Sequence, residues 1–297
     1  MFEEFKNAFN KTNNGHVQLI IINVVVFLGL EVARVVLLWT SHSEIFDIIY
    51  KNFSIPEVFA EFIQRPWTLI TYFFTHDLNQ IWHILFNMLV LYWFGKLFVE
   101  YLGSDKMIAL YVLGGITGAL IYLAAYNLIP NPPEFLTRSS GGVMVGASGA
   151  IFAVMVGAAT LLPDYSFYLM FFGPVRIKYI AAFYIIISFI GTTGSNAGGN
   201  LAHLGGALMG FIYIKQLQAG VNWGGWITAV IYRTKKLFLF RPNVKITYRK
   251  SEPRKSGTGR SKASQEEIDA ILDKISDRGY ESLSKEEKDK LFNASKK

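Results

Sequence analysis

Cysteine is absent from all 297 residues. Disulfides, thiolate metal sites and a cysteine nucleophile are therefore excluded, while the redox compartment is left undecided. Charge is scarce as well: Asp, Glu, Lys and Arg supply 17% of the chain against 52% hydrophobic residues, more apolar surface than a soluble domain of this length can bury. A membrane protein fits that composition. The net charge of +7 is uneven, with 18 Lys/Arg against 10 Asp/Glu in residues 233–297 and 11 against 12 in residues 1–232. The basicity thus belongs to a tail and not to a nucleic-acid-binding face. A cleavable signal peptide is not expected, because the opening "MFEEFKNAFNKTNNGH" is polar and the apolar stretch after it is long enough to span.

About 20 predominantly apolar residues are needed to cross the hydrocarbon core, and six stretches approach that length: 18–39, 81–99, 107–127, 145–162, 177–193 and 199–217. The fold expected is all-α, a polytopic six-helix membrane bundle over 18–217. The fourth and fifth stretches are short, which suits the middle of a bundle. Small residues at packing spacing, Gly114 with Gly118 and Gly206 with Gly210, allow helix backbones to approach closely. Counting Lys and Arg in the short connections puts both termini on the inner, cytoplasmic side. The outer connection from 40 to 80, with "PEVFAEFIQRPWTLITYFFTH" inside it, reads as a structured loop at the interface.

Beyond the spans, residues 1–17 form a cytoplasmic N-terminal segment and 218–248 an interfacial basic segment with Trp223 and Trp226. Residues 249–263 read as a disordered Lys/Arg/Ser/Gly linker. Within 264–297 two capping boxes, Ser264 with Glu267 and Ser284 with Glu287, flank Gly279. They predict a cytoplasmic helical hairpin, either a docking element for a cytoplasmic partner or a solvated appendage.

Strongly polar side chains inside the spans are few, and burying them in lipid is costly. Glu31 and Arg34, three apart, make an ion pair. Ser148 starts the fourth span, His203 the sixth, and His83 with Asn87 the second. All three spans run from outside to inside, so the four groups share one depth. Each has a bland reading alone: Ser148 as a packing residue bonded to its own backbone, Asn87 as interhelical glue, either histidine as a structural pair. Together they are the parts of an acyl-transfer site, with Ser148 as nucleophile and His203 as base. The Ser148 N–H, His83 and Asn87 supply the oxyanion donors. No carboxylate in the spans is available to orient His203, so a dyad is expected. Phe152, one turn after Ser148, can stack on the imidazole.

The segments "GASGAIF" at 146–152, "AHLGGALMG" at 202–210 and "HILFNM" at 83–88 resemble the rhomboid intramembrane serine proteases. "FGKLFVEYLG" at 94–103 and "PWTLITYFFTH" at 66–76 fit too. The resemblance covers roughly residues 18–217, and it implies hydrolysis of transmembrane-helix substrates, single-pass or polytopic, with no metal or organic cofactor. It makes Ser148 and His203 catalytic, His83 and Asn87 oxyanion groups, and Gly146, Gly149 and Phe152 supporting residues. It also implies a bacterial inner (plasma) membrane and lateral access of substrate past the fifth span. Two positions depart from the family pattern: Thr68 follows Trp67 where arginine is common, leaving the loop's anchor open, and Phe152 replaces a frequent tyrosine. Two rivals stand beside the protease, a catalytically silent binder of transmembrane helices and a transporter using His76, His83 and His203 as ligands.

Overall fold

The computed structural model describes residues 13–130, 133, 142–238 and 265–294, in two units, Met1–Phe240 and Arg241–Lys297. The first unit begins with α1 (Gly15–Trp39), α2 (Ser43–Phe53), β1 (Ile55–Pro56), α3 (Phe59–Gln64), α4 (Thr68–Thr71) and a 3-10 turn at Tyr72–Phe74. Next come α5 (Ile81–Leu102), α6 (Ser104–Leu128), β2 (Val143–Met144) and α7 (Ser148–Leu161). A two-stranded hairpin, β3 (Ser166–Leu169) and β4 (Gly173–Arg176), leads to α8 (Ile177–Gly191), α9 (Ala197–Gln218) and α10 (Gly225–Phe238).

Among the described residues three helices, α1, α5 and α6, are long and apolar enough to cross a membrane. At roughly 1.5 Å per residue, the 14 residues of α7 and 15 of α8 fall short of a ~30 Å hydrocarbon core. The helix of the expected 145–162 stretch starts at Ser148 because Gly146, at φ +134°, lies outside helical space. The 22 residues of α9 have the length, but Gly, Asn and His dilute their hydropathy.

α7 is the centre of the bundle. Every residue from Gly149 to Ala159 is buried, as a helix apolar on all sides requires. Its neighbours reach it through glycines. A Cβ on Gly206 would fall inside the Gly149 carbonyl, and one on Gly210 would strike the Ala153 carbonyl. A Cβ on Gly114 of α6 would strike the Ala153 methyl, and one on Gly118 would lie 2.9 Å from the Ala202 carbonyl of α9. The four glycines singled out by spacing therefore lie where α6, α7 and α9 approach most closely, at Gly118, Gly206 and Gly210 against backbone and at Gly114 against the Ala153 methyl.

The 40–80 connection is tied down residue by residue. Trp67 Nε1 donates to the Asn52 carbonyl at 3.0 Å, and Thr68 Oγ1 to that of Arg65 at 2.6 Å. Arg65 supplies the anchoring charge from before the proline: its guanidinium donates to the Lys51 carbonyl at 3.0 Å and to Glu61 at 2.6 Å. The loop then enters the bundle. Phe73 is wholly buried, Tyr111 of α6 donates to its carbonyl at 2.8 Å, and Asn23 of α1 donates to Tyr111 at 3.1 Å. β1 pairs antiparallel with β2, Ile55 opposite Met144, so the loop holds the strand that leads into Ser148. Glu31 and Arg34 pair at 3.0 Å.

In the second unit α11 (Gln265–Arg278) and α12 (Lys285–Ala294) are joined by a 3-10 turn at Tyr280–Ser282, entered through Gly279 at φ +76°. Ser284 N–H donates to Glu287 at 2.7 Å and Glu287 N–H returns to Ser284 Oγ at 3.3 Å, a reciprocal cap. The Ser284 amide, with Lys274 at 2.9 Å, holds the Glu287 carboxyl below its usual range. Ile271 and Leu283 are its buried apolar residues. The Ser264 cap and the 249–263 linker lie outside the described residues.

Gly206→Ala should cost about 1–3 kcal/mol, the usual range for overpacking, because backbone and not a flexible side chain stands in the way. Gly29→Ala, where nothing lies within 4 Å, should leave stability unchanged or raised. Thermal unfolding of the two variants in one detergent checks the difference.

Candidate active site

Ser148 is the first residue of α7, and Ala147 at the N-cap position offers no side-chain cap. A polar N-cap would normally satisfy the first-turn N–H groups. Here they stay open, and the Ser148 hydroxyl turns elsewhere. It lies 2.6 Å from His203 Nε2 across 55 residues of sequence, which is the distance a serine-to-imidazole proton transfer needs. Gly149 makes the approach possible, since a Cβ there would crowd the Ala202 carbonyl of α9 at 3.2 Å.

The imidazole is fixed from two sides. Phe152 stacks on it with centroids 4.3 Å apart and planes 8° from parallel, and Tyr184 of α8 meets the Phe152 ring edge-on at 6.1 Å. Ser188 Oγ of α8 lies 3.1 Å from His203 Nδ1. Sequence reasoning missed Ser188. Its signal is faint, one hydroxyl in an apolar helix, and only the way α8 and α9 pack turns it toward the ring.

His83 and Asn87 come to the same place. The His83 Nε2 and Ser148 Oγ both lie within 3.6 Å of the position a Cβ on Gly146 would take. Gly146 is held there by its N–H, which donates to the Tyr72 carbonyl at 3.1 Å. Asn87 is buried, and its Nδ2 has no partner. All four polar groups line one cavity of roughly 860 Å³ between α5, α7, α8 and α9.

His76 does not line that cavity. It packs against His83 with centroids 5.4 Å apart and is fully buried. Burial, reinforced by His83, pushes its pKa down to about 3, so it stays neutral. Among the described residues no three His, Cys, Asp or Glu side chains gather as a metal site would require.

A rhomboid domain matches residues 64–218, and a family of unknown function (DUF6576) matches residues 260–297. RHOMBOID-like protein 12, mitochondrial, of Arabidopsis thaliana is 35% identical over 163 residues, covering 52% of this chain and 48% of that protein. Rhomboid protein 1, mitochondrial, of Saccharomyces cerevisiae is 29% identical over 156 residues, 52% of this chain and 42% of that one. The presenilin-associated rhomboid-like protein, mitochondrial, of Homo sapiens is 29% identical over 139 residues, 46% and 34%. The match thus spans about half or less of these relatives' length.

These relatives overturn the bacterial plasma membrane that the resemblance implied, because each is a mitochondrial protein. The physical reason is that a shared fold and site do not fix a compartment, and Lys/Arg bias marks only which loops stay on one face of a membrane, not which membrane. Insertion by several helices stands.

Proposed function

The chain belongs to the rhomboid family, and on that premise we propose that it is an intramembrane serine endopeptidase acting on transmembrane-helix substrates. The observation that carries the reading is the 2.6 Å contact between Ser148 Oγ and His203 Nε2, made inside a cavity walled by membrane helices. In this reading α1, α5, α6, α7, α8 and α9 are six spans, with the short α7 enclosed by the others. The C-terminal helix pair serves as a docking element for a partner.

Ser148 attacks a substrate carbonyl while His203 takes its proton. The tetrahedral intermediate's oxyanion is met by the Ser148 N–H, one of the first-turn groups of α7 with no partner inside the helix, and by Asn87 Nδ2 and His83. His203 then gives its proton to the leaving amine, and the acyl-enzyme is hydrolysed by water from the cavity. No acidic side chain is needed beside the imidazole, so Ser148 and His203 act as a dyad. The cavity reaches Phe86 of α5 and Ile187 of α8, both exposed at 59% and 49%, which supports lateral access from the bilayer.

A silent helix-binding relative is the second reading, but it gives no reason to keep nucleophile, base and stacked Phe152 in register. The transporter reading requires His76, His83 and His203 to share a ligand, and His76 is outside the cavity.

Ser148→Ala and His203→Ala should each lower cleavage of a reporter transmembrane substrate by at least about 10³-fold with the folded fraction unchanged. Cleavage by purified Ser148→Ala protein at the wild-type rate would end the dyad assignment.

Asn87→Ala should lower kcat by about 10-fold to 100-fold with KM little changed, less than the full loss of an oxyanion donor because a backbone donor shares the work. Kinetics and thermal unfolding on one preparation check this. A lowered Tm with normal kcat would make Asn87 packing glue.

A further inference from the structure

The helix α8 is the least enclosed of the bundle: Ile177, Ala181 and Ser188 are its buried residues. Phe183, Ile186, Phe189 and Ile190 face outward at 57% or more. A serine that is 3% exposed on so apolar a helix needs a partner for its hydroxyl. A common solution is a bond to its own backbone carbonyl four residues earlier, the arrangement Thr160 adopts toward Val156 in α7. Ser188 instead aims across the helix interface at His203 Nδ1, 3.1 Å away.

The aim is set by a second tie. Asn200 Nδ2 of α9 donates to the Gly191 carbonyl of α8 at 2.9 Å. Gly191 stands three residues after Ser188 and Asn200 three before His203, so both ties obey one antiparallel register, about one helical turn apart. A Cβ on Gly191 would meet the Asn200 amide at 2.6 Å, so the glycine is what lets this register close. α8 also sends Tyr184, one turn before Ser188, against Phe152, the ring that stacks on His203.

We propose that Ser188 is a positioning residue for catalysis, accepting a hydrogen bond from His203 Nδ1–H and so holding the imidazole in the tautomer whose Nε2 can take the Ser148 proton. The inference rests on the Ser148/His203 reading above. Its chemistry follows from the two ring nitrogens: a neutral imidazole has one N–H, and if it sat on Nε2, that nitrogen could not accept from Ser148. An acceptor at Nδ1 biases the ring to the useful form. Serine does this without a charge, so it stabilises the imidazolium far less than a carboxylate would. The expected effect is accordingly that of one neutral hydrogen bond, about 3-fold to 10-fold in rate, and not the roughly 10⁴-fold of a triad aspartate.

The test uses the full chain in detergent with three readouts: kcat and KM on a reporter transmembrane substrate, Tm, and ¹⁵N chemical shifts of the His203 ring, assigned with His203→Gln. Ser188→Ala should lower kcat about 3-fold to 10-fold with KM within twofold and shift the ring away from the Nδ1–H form, while Ser188→Thr, which keeps the hydroxyl, should restore kcat to within about twofold. Wild-type kcat in Ser188→Ala, an unchanged ring spectrum, or a loss that Ser188→Thr leaves uncorrected in folded protein would overturn the proposal. Should the wild-type chain show no turnover, the protease reading fails by itself. The ring spectrum then decides the Ser188 contact: loss of the Nδ1–H form in Ser188→Ala upholds it, and an unchanged spectrum refutes it.

Discussion

Everything at the site depends on how closely two backbones approach. α9 lies against α7 at Gly206 and Gly210, with the Gly149 and Ala153 carbonyls occupying the space where side chains would be. Only that separation brings a short serine side chain within 2.6 Å of the imidazole. In lipid there is no hydrophobic drive to press helices together, so van der Waals contact between small residues has to do it. The glycines are thus part of the chemistry as much as of the packing. α6 uses two more glycines in the same bundle, Gly114 against the Ala153 methyl of α7 and Gly118 against the Ala202 carbonyl of α9.

The same closeness creates a tension that the site resolves unevenly. Polar groups in a membrane must find partners, and most here do: Asn23, Tyr111 and the Phe73 carbonyl form a chain that fastens the outer loop to the bundle. Asn87 Nδ2 does not. In the proposed mechanism hydrolysis needs a cavity that admits water and a donor whose bond strengthens in the transition state, and the Asn87 amide on the wall of the cavity is placed for the second role. His76 is a different case, kept neutral by burial and used as a surface for His83 to pack on.

Much of this was legible in the residues themselves. The depth of Ser148, His83, Asn87 and His203 follows from where each falls in its apolar stretch, and the structure brings the four around one cavity. Phe152 followed from helical spacing. Ser188 was hidden because its role depends on the rotation of α8 about its own axis, which the Gly191–Asn200 tie sets and no periodicity records. The loop anchor was hidden for a similar reason: Arg65 reaches back 14 residues to the Lys51 carbonyl, a tertiary contact with no local signature. The membrane itself was misjudged, since it came from the family resemblance, which speaks to fold and site and not to compartment, and charge bias reports sidedness alone.

The central claim is that Ser148 is an activated nucleophile. A fluorophosphonate reacts with such a serine irreversibly, so intact-mass and peptide analysis of the treated, detergent-purified chain measures activation without needing a natural substrate. One adduct is predicted, on Ser148, abolished in His203→Ala while that protein remains folded. An unmodified wild-type chain, or an adduct that forms equally fast without His203, would contradict the account.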